Sequence, residues 1–367
     1  MITKGRYAVS YGTLELDKVT LESGVILKNV TVAYERAGDL DAPVILICHA
    51  LTGSQAAVGT ETDPGWWSEL VGRSKPIDTE KYQTVTFNVL AGCNGTTGPA
   101  SVNPRTGRQY RTDFPFVTVR DIVTVHYLAL KKMGINHLFA AIGGSLGGMQ
   151  VLELSLMYPD FIDTCICLAA TPASSDFSIA FNQTARKAIM DDPNWLGGGY
   201  AKEQPPVQGL STARMLGMLT YRTAALFSER FGRQPKDEWG TSHRETAFQV
   251  ESYLNYQGKK LTKRFDANSY LYLLKALDSH DITRNRGTLP GTLAKLKVPV
   301  LAVGFEGDSL YPAEEIRRMI DLHKGCQPLS RFYKRMTKYG HDGFLVECNE
   351  WGHWLSEWLA EMSDIRH

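Results

Sequence analysis

The stretch Gly143-Gly144-Ser145-Leu146-Gly147 stands between two segments of opposite character. Before it runs His137-Leu-Phe-Ala-Ala-Ile142, apolar and of strand length; after it, Gly148-Met-Gln-Val-Leu-Glu-Leu-Ser-Leu-Met157 reads as a helix. A strand, a sharp turn carrying serine and then a helix is the setting in which G-x-S-x-G presents a nucleophile. The turn forces a strained backbone that only small neighbours tolerate. The hydroxyl then stands at a helix mouth, where free amides favour negative charge. With 33 glycines in 367 residues the pentapeptide alone is weak; its flanks make the reading one of acyl chemistry through Ser145.

Outward from the elbow, short apolar runs alternate with helical patterns. Val30-Thr-Val-Ala-Tyr34, Pro43-Val-Ile-Leu-Ile-Cys48 and Thr84-Val-Thr-Phe-Asn-Val-Leu90 precede it, with an amphipathic helix expected over Val119–Leu130. Ile162–Ala170, Pro299–Gly304 and Ser330–Arg335 follow, and a closing helix is expected from Asp342 to about Met362. Continuous apolar strands separated by helices imply an α/β fold, with a mostly parallel sheet covered on both faces. The rhythm breaks between about Pro172 and Leu296, where helical runs are expected over Ser178–Met190, Ser211–Thr220, Arg244–Gln257 and Ala267–Asp278. We therefore expect a core domain of residues 1–172 and 297–367 and an all-helical lid inserted at 173–296, over the strand ends where such sheets bind ligands.

Composition excludes several classes. Hydrophobic residues make up 43% and charged residues 22%, and the net charge of +1 comes without a basic cluster, so nucleic acid is not an expected partner. No apolar run reaches membrane-spanning length, and the start lacks the apolar core of a signal peptide. Six scattered cysteines (Cys48, Cys93, Cys165, Cys167, Cys326, Cys348) suit buried free thiols in a reducing compartment. The expected location is the cytoplasm. Cys165-Ile-Cys167 has a metal-like spacing, but alternation makes both strand residues. His280, in Asp278-Ser-His-Asp281, has no partners at ligand spacing.

A serine needs a base, and the base needs a third group to hold its tautomer. On a fold of this kind the acid and base follow the serine in that order, each on a loop after a strand. Asp308 lies after the Pro299 strand and His341 after the Ser330 strand; Glu306 shares the acid's loop and competes with it. His49 precedes the elbow, and His126 and His353 sit within helices. One oxyanion donor is expected from the Leu146 amide and another from the loop His49-Ala-Leu-Thr-Gly-Ser54.

Taken together, these residues resemble the homoserine O-acyltransferases of methionine biosynthesis, within the α/β-hydrolase superfamily. The resemblance runs over nearly the whole chain. It rests on His49–Gly53, Asn88-Val-Leu-Ala-Gly-Cys-Asn-Gly-Thr-Thr-Gly-Pro99, Asp113-Phe-Pro115 and Gly143–Gln150. It continues through Gly209-Leu-Ser-Thr-Ala-Arg214, Arg230-Phe-Gly-Arg233, Arg264-Phe-Asp-Ala-Asn-Ser-Tyr270, Asp308-Ser-Leu-Tyr-Pro312 and Gly340-His-Asp-Gly-Phe-Leu345. It implies Ser145 as nucleophile, Asp308 as orienting acid, His341 as base, and the Leu51 and Leu146 amides as oxyanion donors. It further implies that Arg214 and Asp342 hold the carboxylate and ammonium of an amino-acid acceptor, with Tyr221 as a weaker contact two helical turns from Arg214. Relatives commonly carry Met where this chain has Leu146; only the amide of that position is used.

The implied substrates are L-homoserine and an acyl-CoA, acetyl-CoA first, with no metal or cofactor and a homodimer formed through the lid. Succinyl transfer to homoserine, acetyl transfer to serine, hydrolysis of small esters and a catalytically silent binding fold are the alternatives.

Overall fold

The computed structural model describes residues 9–236, 243 and 247–366. Its centre is an eight-stranded sheet: β1 (Ser10–Thr20), β2 (Ile26–Ala37), β3 (Val44–Cys48), β4 (Gln83–Phe87), β5 (Leu138–Gly144), β6 (Ile162–Leu168), β7 (Val300–Phe305) and β8 (Arg331–Arg335). The strand order is β1-β2-β4-β3-β5-β6-β7-β8. β1 and β2 are antiparallel to each other, and β2 is antiparallel to β4; every pairing from β4 onward is parallel.

Side chains alternate between the two faces of the sheet and feed two cores. Leu46, Val85, Ala141, Cys165 and Ala302 face one core, whereas Ile45, Ile47, Ile142, Ile166 and Leu301 face the other. Burial on both faces is why these strands read as unbroken apolar runs. Helix α1 (Val119–Lys132) opens with a Thr118–Asp121 capping box, and α2 (Leu146–Met157) is buried from Leu146 through Ser155.

Between β6 and β7 come α3 (Asp176–Met190), α4 (Val207–Tyr221), α5 (Ala224–Phe231), α6 (Gln249–Thr262) and α7 (Ala267–Asp278), with α3 packed on α4 and α7, and α6 on α4 and α5; the short α8 (Leu289–Leu293) packs instead on the helix that follows β7. α9 (Ala313–Lys324), α10 (Gly343–Val346) and α11 (Cys348–Arg366) complete the chain.

Several expected bounds move. The Thr84–Leu90 strand stops at Phe87, because Val89 donates its amide to the His49 ring instead of a neighbouring strand. The closing helix is broken into a 3-10 turn (Gly340–Asp342), α10 and α11, with Glu347 outside helical geometry between the last two. The Trp67 and Trp351 indoles hydrogen-bond the carbonyls of Phe344 and Gly343 and hold that break in place. The helix expected over Arg244–Gln257 runs over Gln249–Thr262; residues 244–246 lie outside the described residues. β1, α5 and α9 carry no counterpart in the sequence reading. β1 is an edge strand with mostly exposed side chains, so its apolar period is faint.

Among the described residues no helix is long and apolar enough to cross a membrane. All six cysteines are free; Cys326 is exposed rather than buried, and Cys93 is half-buried.

Candidate active site

Four loops leave the C-terminal ends of β3, β5, β7 and β8 and converge beneath the helices. At the tip of the β5–α2 turn, Ser145 has φ 58° and ψ −125°, a strained conformation for a residue with a Cβ. The flanking glycines are there for space. A Cβ on Gly143 would meet the Gly147 carbonyl carbon at 2.3 Å, and one on Gly147 would meet the Cys48 carbonyl oxygen at 2.1 Å. Only glycine lets β5, the turn and β3 approach this closely.

Asp308 and His341 are paired with each other. The His341 ring nitrogen Nδ1 donates to Asp308 Oδ2 at 2.7 Å, which leaves Nε2 as the basic nitrogen. The other carboxylate oxygen accepts the amides of Leu310 and Tyr311 at 2.9 and 3.0 Å, so the acid cannot swing away. Glu306, the rival in that loop, is ion-paired to Lys334 at 2.7 Å. Burial alone would push the His341 imidazole down. The Asp308 carboxylate, by charge and hydrogen bond, and the Asp342 carboxylate outweigh it, so the pKa lies above the ordinary 6.5. Three aromatic rings enclose the imidazole: Tyr311, Phe344 and Tyr221, with centroids 5.2, 5.4 and 5.6 Å away.

Ser145, Leu51, His341, Arg214, Tyr221 and Asp342 all line one cavity of about 740 Å³ between the sheet edge and α3, α4 and α7. As the first residue of α2, Leu146 keeps an amide with no partner inside the helix. The Leu51 loop is braced from an unexpected direction. His49 is fully buried; its Nδ1–H donates to the Ala50 carbonyl at 2.7 Å, and its Nε2 accepts from Val89 N–H and Asn88 Nδ2, each at 3.1 Å. Burial holds this ring neutral, with its pKa pushed down to about 4. Gln150 completes the brace by donating to the His49 and Leu146 carbonyls. The Asn88–Pro99 loop thus supports the backbone that carries Leu51, a role that no local pattern announces.

Arg214 and Asp342 differ in a way the sequence does not reveal. The Arg214 guanidinium lies 5.5 Å from the Tyr221 ring centroid and has no carboxylate within ion-pair distance among the described residues. Asp342, by contrast, is already bound: Arg222 Nε donates to its Oδ2 at 3.1 Å. Arg222, Tyr311 and Tyr270 are site residues that sequence reasoning missed. Tyr311 and Tyr270 lie inside quoted strings and Arg222 follows Tyr221, but a place in the sequence carries no signal of pointing into a cavity.

The remaining candidates fall elsewhere. His280 is buried, bonded to the Thr171 carbonyl, and its pKa is pushed down to about 4, chiefly by burial. Cys165 and Cys167 lie in β6. His126 is buried in α1 against Phe87, and His353 lies within α11. Among the described residues no group of three or more His, Cys, Asp and Glu side chains could hold a metal ion.

Known proteins resemble the chain over almost its whole length. A model of the alpha/beta hydrolase fold matches residues 43–347. The chain is 44% identical to the homoserine O-acetyltransferase of Carboxydothermus hydrogenoformans, over 97% of this chain and 98% of that one. The homoserine O-acetyltransferase from Bacillus anthracis superposes with a TM-score of 0.91 at 29% identity, covering 96% of this chain and 97% of that one. Esterase E22 superposes with a TM-score of 0.88 at 29% identity, covering 96% of this chain and all (100%) of that one. With such identity over almost all of both chains, the protein belongs to the homoserine O-acetyltransferase family, built on the α/β-hydrolase fold.

Proposed function

We infer that this protein is a homoserine O-acetyltransferase of methionine biosynthesis, working through an acyl-enzyme on Ser145. His341 Nε2 takes the Ser145 proton as the oxygen attacks the acetyl-CoA carbonyl. The Leu51 and Leu146 amides receive the developing oxyanion. The C–S bond breaks, and CoA leaves as the thiol with the proton from His341. L-Homoserine then enters; its γ-hydroxyl gives its proton to His341 and attacks the acetyl ester. Collapse releases O-acetyl-homoserine and returns the proton to Ser145. The helical segment between β6 and β7 acts as a lid that keeps water from the ester.

One observation carries the acceptor: an uncompensated guanidinium, Arg214, lines the same cavity as Ser145 and His341. An amino-acid carboxylate supplies the missing charge with two hydrogen bonds. The free Oδ1 edge of Asp342 receives the ammonium, and Tyr221 bears on the acceptor's stem. We place the enzyme in the cytoplasm and expect a homodimer formed through the lid.

Thiol release from acetyl-CoA, with and without L-homoserine, tests the reading. Release that depends on homoserine and disappears in Ser145→Ala supports it. Hydrolysis of simple acetate esters without any transfer, in the manner of the structurally similar esterase, would overturn it.

A further inference from the structure

A second groove, of about 1250 Å³, opens beside the catalytic cavity along the first turns of α4 and α7. It is lined by Arg111, Lys202, Lys263 and Arg264, with Asp266 as the one carboxylate along its wall among the described residues. Asp266 is already engaged: its Oδ1 accepts the Tyr200 hydroxyl at 2.5 Å and its Oδ2 the Ser269 amide at 2.7 Å. None of the four cations has a carboxylate within ion-pair distance among the described residues; the hydrogen bonds they make, Arg111 to Gly199 O and Arg264 to Thr52 O, go to carbonyls. Four like charges converging on one groove repel each other unless an anion joins them.

The groove is joined to the chemistry by Arg264. Its Nη1 donates to the Thr52 carbonyl at 2.8 Å, and Thr52 lines the catalytic cavity. Leu210 lines the groove and Arg214 the cavity, one turn apart on α4; Asn268 and Tyr270 divide in the same way on α7. Partial burial and the charge of Arg214 hold the Arg264 guanidinium below its ordinary pKa, as expected for two cations facing each other across that boundary.

We propose that this groove binds the phosphate groups of the acyl-CoA donor, from which the thioester arm passes Arg264 toward Ser145. The assignment rests on the acetyl-CoA-dependent reading given above. A diphosphate and a 3′-phosphate match four cations in number and sign, and guanidiniums grip phosphate through paired hydrogen bonds. L-Homoserine, small and zwitterionic, has no use for such a field. The two substrates therefore occupy different charge environments although they react at one serine.

Lys202 and Lys263 are exposed, so reversing them as Lys202→Glu/Lys263→Glu spares the fold; Lys202→Ala/Lys263→Ala serves as the milder pair. The expected result is a rise of about tenfold or more in KM for acetyl-CoA, with KM for L-homoserine unmoved. With S-acetylpantetheine, which lacks the nucleotide phosphates, variant and wild type should have the same KM. Equal KM values for acetyl-CoA in variant and wild type would overturn the proposal. Direct binding of adenosine 3′,5′-bisphosphate, read by calorimetry, separates the two failures. If no transfer is seen but the wild type binds the bisphosphate and the variant does not, the transferase reading falls and the groove stands as a nucleotide-phosphate site. If both bind it equally, or neither does, the groove assignment is wrong whatever the reaction.

Discussion

Arg222 Nε sits 3.1 Å from Asp342 Oδ2, both side chains largely buried, so the carboxylate next to His341 in sequence already carries a counter-ion. Asp342 helps to raise the His341 pKa, and a counter-ion at this distance should weaken that influence. A general base works in its neutral form, so kcat/KM should fall as pH drops through a pKa lying above 6.5. Asp342→Asn removes a negative charge and should move this acid limb to lower pH. Arg222→Gln leaves Asp342 uncompensated and should move it to higher pH. Opposite displacements in pH–rate profiles are the expected signature; displacement in the same direction would contradict the electrostatic account.

The brace beneath Leu51 predicts a coupled loss. Asn88 donates to the His49 ring, and its side-chain oxygen accepts the Asn94 amide at 3.0 Å. Asn88→Ala leaves buried groups unpaired, at about 1–3 kcal/mol, which urea denaturation would measure. The Leu51 amide should lose its aim as well, lowering kcat by about tenfold or more while KM for homoserine changes little.

Two glycines separate crowding from backbone strain. Gly147→Ala drives a Cβ to 2.1 Å from the Cys48 carbonyl oxygen and should destabilise the protein by about 3 kcal/mol or more, with loss of activity. Gly107 has φ +68° and nothing within 4 Å of its absent Cβ, so Gly107→Ala should cost only about 1–2 kcal/mol and leave kcat intact. Thermal melts of the two variants compare the effects directly.

His126 predicts acid sensitivity. Both of its ring nitrogens are buried without a hydrogen-bond partner, and burial pushes its pKa down to about 3. The unfolded chain therefore binds a proton that the folded chain refuses between about pH 6.5 and pH 3. Stability should fall with pH across that window, by at most about 1.4 kcal/mol per pH unit for this group. His126→Phe removes the titration, so the drop in Tm between pH 7.5 and pH 5 should be smaller in the variant than in the wild type.

Legibility in the sequence followed local chemistry. β5, β6 and β7 are buried on both faces, so their apolar runs are unbroken and their bounds were near to those observed. β1 buries little beyond Leu16 and Val19 and was invisible for that reason. The choice between Asp308 and Glu306 rested on resemblance alone, because two acids in one loop are equivalent on paper. In the fold, one meets His341 and the other meets Lys334.

The sequence by itself determined the elbow, because Gly143, Ser145 and Gly147 satisfy a steric requirement confined to a few adjacent residues. It also determined that Ser145, Asp308 and His341 follow one another on loops after strands, which connectivity imposes once the strands alternate with helices. Only the tertiary structure decided which charges are free. Arg214 and Arg222 both lie between β6 and β7, eight positions apart, yet among the described residues one lines the Ser145 cavity with no carboxylate at ion-pair distance and the other is paired to Asp342. Pairing depends on the distance between groups more than a hundred residues apart in the chain, and only packing the helices against the sheet sets that distance.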